Sequence, residues 1–144
     1  TMAYTAPDAN ILVIDEAAVN LTVARGLMKP FKMHIDTGNS GEACIDMMRK
    51  KHYDILMIDH MMPEMNGIET IKRIRAAENL IDTSNTKIIA MTGNSQPDAE
   101  EFYKKHGFDG YMTKPIEPAK IQEILFMFLP KERIIKTSDR KGEK

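Results

Sequence analysis

The stretch Ile55-Leu56-Met57-Ile58-Asp59-His60-Met61-Met62-Pro63-Glu64-Met65-Asn66-Gly67 decides how this sequence folds. Its first four residues are all apolar, with no alternation, and read as a short strand buried on both faces. The run stops on the carboxylate of Asp59, and Pro63 and Gly67 then mark a loop. Beyond it, Ile68, Ile71 and Ile74 recur at helical spacing and predict a helix that fades near Ala77. The same unit appears upstream: Ile11-Leu12-Val13-Ile14 ends on Asp15-Glu16, and a helix follows from Ala18 to Met28, stopped by Pro30. Met33 to Asp36 reads as a second strand, and Gly41 to Lys51 as a helix with Ala43, Met47 and Met48 on its apolar side. Downstream, Ile88 to Met91 is a strand ending on Thr92. Ser95 and Pro97 then read as cap and first turn of a helix that Gly107 ends. Gly110 to Met112 is the last strand and Lys114-Pro115 its exit. Pro118 opens a final helix with Ile121, Ile124, Leu125 and Phe128 on one face.

Five strands alternating with five helices imply an α/β fold, a doubly wound parallel sheet with right-handed crossovers and helices on both faces. The 144 residues suit one domain, with 42% apolar and 28% charged residues. The apolar runs fall far short of the ~20 residues a membrane-spanning helix needs. One cysteine, Cys44, supplies neither a disulfide framework nor a zinc ribbon. A reducing cytoplasm is the expected location, with no direct contact with membrane or nucleic acid. The net charge of -1 averages two parts: residues 130–144 hold six basic and three acidic residues, leaving the remainder at -4. The expected organisation is an extension over 1–9, a domain over 10–129 and a flexible basic tail or linker over 130–144, whose last nine residues have no apolar side chain.

In parallel sheets of this kind ligands sit beyond the carboxyl ends of the strands. Those ends carry Asp15 and Glu16, Asp59, Thr92 and Lys114. Gathered carboxylates repel one another unless a cation neutralises them. Magnesium suits such hard oxygen ligands, whereas zinc would lack its Cys and His partners. An Asp carboxylate can also act as a nucleophile and form an aspartyl phosphate, with Lys114 and the Thr92 hydroxyl available to the new phosphoryl oxygens.

With these residues in place, four segments carry a resemblance: Ile11 to Glu16, Tyr53 to Gly67, Ile89-Ala90-Met91-Thr92-Gly93 and Gly110-Tyr111-Met112-Thr113-Lys114-Pro115. In this order, each at the end of its strand, they resemble the receiver domain of two-component phosphorelays, of the kind fused to hybrid sensor histidine kinases. The resemblance implies a flavodoxin-like (βα)5 fold with strand order 2-1-3-4-5. It implies Asp59 as phospho-acceptor, and magnesium held by Asp15, Glu16, Asp59 and the backbone carbonyl of Met61. It further implies Thr92 as switch hydroxyl, Lys114 as phosphate-binding lysine, Tyr111 as the aromatic that turns inward, and a cis Lys114–Pro115 bond. Glu16 stands where the family more often has Asp, Ala17 replaces a frequent Asn, and Asn66 a frequent Asp.

The function so implied is a signalling domain, not an enzyme in the ordinary sense, that takes a phosphoryl group from a phosphohistidine and switches conformation. The alternative is a degenerate receiver acting as a phosphorylation-independent docking module. An aspartyl hydrolase is disfavoured because Met61 stands where a second acid would be needed. A flavin protein is disfavoured because no phosphate loop follows the first strand. In the first helix Val19, Val23, Ala24 and Leu27 are expected to face the core. Leu21 and Met28 then extend the apolar stripe as a docking surface for a histidine kinase or histidine phosphotransfer domain. A weak homodimer is a further expectation. His60 is expected to be a solvent-facing loop residue, Cys44 a core residue, and the twelve methionines mainly core filling.

Overall fold

The computed structural model describes residues 3–76, 80–94 and 96–137. Its elements in chain order are β1 (Tyr4–Thr5), β2 (Asn10–Ile14), α1 (Ala18–Met28), β3 (His34–Gly38), α2 (Gly41–Lys50), β4 (Ile55–Asp59), α3 (Gly67–Ala76), β5 (Lys87–Thr92), α4 (Ala99–Lys105), β6 (Gly110–Thr113), α5 (Pro118–Phe128) and β7 (Ile135–Lys136). Five strands form one parallel sheet in the order β3-β2-β4-β5-β6, which is 2-1-3-4-5 when the strands of the sheet are counted along the chain.

Because successive side chains of a strand point to opposite faces, each unbroken apolar run feeds two cores at once. Ile11, Val13, Ile55, Met57, Ile89 and Met91 pack with α1 and α5. Leu12, Ile14, Leu56, Ile58, Ile88 and Ala90 pack with α2, α3 and α4, and Cys44 is buried among them. Fully burying one such side chain is worth about 1.5–3 kcal/mol, which confines the polar residues of β4 and β5 to the strand ends, at Asp59, Lys87 and Thr92. The α2 start is capped by Ser40, whose hydroxyl accepts from the Ala43 amide at 3.1 Å. No helix among the described residues is long and apolar enough to cross a membrane.

Three expectations need correction. In α1 the core face is Ala24 and Met28, both buried, with Leu21 and Leu27 partly buried against the same cluster, while Val19 and Val23 are exposed. Apolar side chains cover more than half of this helix's circumference, so their spacing alone does not say which part meets α5. In α4 the helix begins at Ala99, after a turn containing Pro97, and the Asp98 carbonyl accepts the first helical bond, from Phe102, at 2.9 Å. Ser95, the expected cap, lies outside the described residues.

The third correction concerns the flanks. β1 and β7 pair antiparallel, Tyr4 opposite Lys136 and Thr5 opposite Ile135, so the described part of the expected flexible tail is joined to the N-terminal segment. Tyr4, Ala6 and Ala9 are buried. The Tyr4 hydroxyl donates to the Gln122 carbonyl at 2.8 Å, and its ring lies 4.8 Å from that of Phe31 and 5.5 Å from that of Phe126. The C-terminal flank is fastened by Arg133, 3.8 Å from Asp54 and bonded to the Asp8 carbonyl, and by the Thr137 amide on the Ala3 carbonyl. Main-chain pairing needs no apolar side chain, so the tail's composition could not reveal it. Residues 138–144 lie outside the described part.

Candidate functional site

The site is assembled at the carboxyl ends of β2, β4, β5 and β6. Asp15 directly follows β2, and its amide extends the ladder to the Gly38 carbonyl at 3.1 Å. Asp59 is the last residue of β4, a strand paired on both sides. Lys114 directly follows β6, its amide donating to the Thr92 carbonyl at 2.7 Å, and the Lys114–Pro115 peptide is cis. Neighbouring strands bring together three side chains that are far apart in sequence. The Lys114 Nζ donates to Asp59 Oδ1 at 3.0 Å and to Asp15 Oδ2 at 3.4 Å.

Both carboxylates are nearly inaccessible, Asp15 at 1% and Asp59 at 4%. Asp15 is held on both oxygens: Oδ1 accepts from the Ala17 amide at 2.9 Å, and Oδ2 accepts from Asn20 Nδ2 at 3.1 Å as well as from Lys114. Burial raises the pKa of Asp59 above the ordinary carboxylate value. The Lys114 hydrogen bond pulls it down, the Asp15 charge pushes it up again, and the Met61 amide, which donates to it, opposes the rise. Burial acts against the charged form of Lys114, yet the hydrogen bond and charge of Asp59, with those of Asp15, hold its pKa above the usual value. Two ionised carboxylates facing one ammonium leave the cluster with a surplus negative charge, and a buried surplus of this kind is relieved by another cation.

The remaining strand-end residues differ in position. Glu16 is exposed, and among the described residues no three of His, Cys, Asp and Glu converge on a point that could hold a metal ion. The two carboxylates that share Lys114 are Asp15 and Asp59, and Glu16 stands next to Asp15 in the chain. The Met61 side chain is 68% exposed. Thr92 is buried, and its hydroxyl is engaged locally: it donates to the Asn94 carbonyl at 3.0 Å and accepts from the Asn94 amide at 3.2 Å. Tyr111 is half-buried and stacks on Tyr103 of α4, centroids 5.7 Å apart and planes at 24°.

Gly67, the first residue of α3, explains the close return of the loop after Asp59. Its amide donates to the His60 carbonyl at 2.8 Å, and a Cβ at this position would lie 2.5 Å from the Asp59 carbonyl oxygen. Only a residue without a side chain fits there. His60 departs from expectation. It is half-buried, and its Nδ1 shares a 2.7 Å hydrogen bond with the Tyr103 hydroxyl. Burial holds its pKa below the ordinary imidazole value, against the pull of the Asp59 charge. Tyr103 escaped the sequence reasoning. Its only signal was an adjacent aromatic pair, Phe102-Tyr103, in a helix otherwise made of Ala, Glu and Lys.

Comparison with known proteins gives a consistent result. Residues 11–126 match the family described as the response regulator receiver domain. The chain is 32% identical over 150 aligned positions to "Probable histidine kinase 1" of Oryza sativa subsp. indica, covering 85% of this chain and 16% of that relative. It thus spans a small part of the length of the curated kinases it matches. Among solved structures it is similar to the receiver domain of a Saccharomyces cerevisiae response regulator, co-crystallised with a histidine phosphotransfer signalling protein. The TM-score there is 0.78 at 17% identity, covering 88% of this chain and 92% of the other. It is also similar to the receiver domain of a Pseudomonas aeruginosa sensor histidine kinase with magnesium coordinated in its active-site cleft. That match has a TM-score of 0.73 at 26% identity, covering 84% of this chain and 97% of the other.

Proposed function

Because the chain belongs to the response regulator receiver domain family, we propose that it accepts a phosphoryl group on Asp59 from a phosphohistidine and passes the signal on by a change of conformation. The observation that carries this proposal is the buried Asp59 carboxylate, paired at 3.0 Å with Lys114 and facing Asp15 across that ammonium. In the transfer an Asp59 oxygen attacks phosphorus while the phosphorus–nitrogen bond breaks, and its electron pair returns to the donor imidazole, which takes up a proton. Lys114 then moves its hydrogen bond from the carboxylate to a phosphoryl oxygen. Thr92 exchanges its local bonds to Asn94 for the phosphoryl group, and Tyr111 turns toward the space it leaves.

Asp15, Asp59 and the Met61 carbonyl are the groups that would hold magnesium, with Glu16 adding negative charge beside them. The surplus charge of the two buried carboxylates suits a divalent cation, and a related receiver coordinates magnesium in its cleft. When bound, magnesium neutralises charge on the transferring phosphoryl group.

The donor is a histidine kinase or a histidine phosphotransfer domain, a partner supported by the yeast receiver crystallised with one. The parent context we favour is a histidine kinase carrying this receiver, since the curated relatives are kinases. Val19 and Val23, exposed in the first two turns of α1, offer the apolar contact in place of Met28, which is buried, and Leu21, which is partly buried against the core.

Intact mass measurement after treatment with acetyl phosphate and magnesium tests the proposal. A gain of ~80 Da is expected, lost in Asp59→Ala. Absence of the adduct in the wild type, or its survival in Asp59→Ala, overturns the proposal and leaves the docking-module alternative.

A further inference from the structure

His60 immediately follows the proposed phospho-acceptor, and its main chain is held on both sides, by the sheet end and by the start of α3. Its amide donates to the Met91 carbonyl at 2.9 Å, and its carbonyl accepts from Gly67 at 2.8 Å. Its side chain reaches α4. There Nδ1 and the Tyr103 hydroxyl share the 2.7 Å hydrogen bond, and the two rings meet edge to face with centroids 5.5 Å apart. Tyr103 is 4% exposed, fixed further by the edge-on ring of Phe108 at 5.6 Å, and its own ring stacks on Tyr111. An unbroken line of contact therefore runs from the main chain beside Asp59, through His60 and Tyr103, to Tyr111.

We propose that Tyr103 is a positioning residue: its hydroxyl latches α4 onto the segment after Asp59, holds Tyr111 in its stack, and so opposes the phosphorylated conformation. The inference rests on Asp59 being the phospho-acceptor. For Tyr111 to turn toward Thr92 it must give up the stack, and α4 cannot follow while the Tyr103 hydroxyl is held by a histidine anchored to the sheet. Breaking that bond in a half-buried place leaves two polar groups short of a partner, which stabilises the latched state. Thr92 is in the matching condition, its hydroxyl bonded to Asn94. Of the other α4 side chains, Glu100, Glu101, Lys104 and Lys105 are exposed charges, Ala99 is buried against the core, and the Phe102 ring lies 6.0 Å from that of His60 and 5.2 Å from that of Tyr103 without a hydrogen-bonding group to offer.

Titration with beryllofluoride, a mimic of the aspartyl phosphoryl group, in the presence of magnesium tests the latch, read from the amide resonances of Thr92 and Tyr111. Tyr103→Phe keeps the ring, its stack and its burial and removes only the hydroxyl. If the latch holds the unswitched state, Tyr103→Phe binds about five-fold more tightly, the equivalent of one hydrogen bond of about 1 kcal/mol released from the competing state. His60→Phe gives the same gain, and the double variant gains no more than either single one. A residue with a purely structural role would lower stability without tightening binding. Affinities of the variants equal to or weaker than wild type, or additive gains in the double variant, overturn the latch alone. A wild-type protein that binds no beryllofluoride overturns the assignment of Asp59 and the latch with it.

Discussion

Replacing Lys114 by Met in metal-free buffer leaves Asp15 and Asp59, 1% and 4% exposed, without the ammonium that sits 3.4 and 3.0 Å from them. Removing one partner of a buried ion pair costs about 3–5 kcal/mol. The Lys114 side chain is 23% exposed, so water already screens part of its attraction for the two carboxylates, which places the loss at the lower end, about 3 kcal/mol. For a domain of this size 1 kcal/mol corresponds to ~3–4 °C, so the melting temperature should fall by about 10 °C in EDTA. Asp59→Asn removes one of the two charges, and in that background Lys114→Met should cost about 1–2 kcal/mol less, a coupling read directly from a double-mutant cycle. Added magnesium should raise the melting temperature of Lys114→Met more than that of the wild type, because the variant's pocket carries the larger negative charge. Thermal unfolding followed by circular dichroism supplies all three numbers. A variant melting within ~2 °C of wild type in EDTA, together with no coupling to Asp59→Asn, would falsify the claim that Lys114 neutralises this pair.

The corrected face of α1 separates two residues that sequence alone exchanged. Met28→Ala, in a fully buried position, should cost about 2–4 kcal/mol in chemical denaturation. Val19→Ser with Val23→Ser should leave stability within ~0.5 kcal/mol and acetyl phosphate reactivity intact, while slowing transfer from a phosphohistidine protein; unslowed transfer removes α1 as the docking element. Tyr4→Ala should destabilise by about 3 kcal/mol, as a buried aromatic does, and a proteolysis or melting profile indistinguishable from wild type would show the β1–β7 ribbon to be dispensable. The Tyr53 hydroxyl donates to Asp36 Oδ2 at 2.6 Å, and this bond, helped by Lys51, holds the Asp36 pKa below 3.8. A lowered folded-state pKa means the contribution is fully present above the unfolded value near 3.8 and fades as pH falls through the folded value. Wild type should therefore exceed Tyr53→Phe in stability by a constant margin at neutral pH, and the margin should shrink below about pH 4; a margin independent of pH down to acid unfolding contradicts the assignment.

Much of this molecule was legible in one dimension because its fold is written in a strong pattern. Unbroken apolar runs such as Ile11 to Ile14 and Ile55 to Ile58 can be buried on both faces only inside a parallel sheet covered by helices, and each such run ends where its sheet ends. The residues at those ends, Asp15, Asp59, Thr92 and Lys114, therefore fall at one edge by sequence alone, since strand ends in a parallel sheet share a side. Helix limits were nearly as clear for α1 and α5, where Pro30 and Pro118 act on the backbone directly.

Other features depended on which surface meets which. The apolar stripe of α1 is wider than its contact, so only packing on α5 decided that Met28 is buried and Val19 is exposed. Asp15 and Glu16 are adjacent in sequence, but successive residues at a strand end point to different sides, and Asp15 is buried on Lys114 while Glu16 is exposed. The β1–β7 pairing joins Tyr4 to Lys136 and Thr5 to Ile135, from opposite ends of the described chain, through main-chain bonds that leave no trace in composition. The His60–Tyr103 bond spans 43 residues and requires β4 and α4 to be docked before either side chain has a partner. Local periodicity thus determined the strands, the crossovers and the edge where the chemistry gathers, because those follow from the covalent order of polar and apolar groups. Tertiary structure alone decided which side of α1 is free, which acids meet, and what restrains α4, because such contacts form only between surfaces that folding brings together.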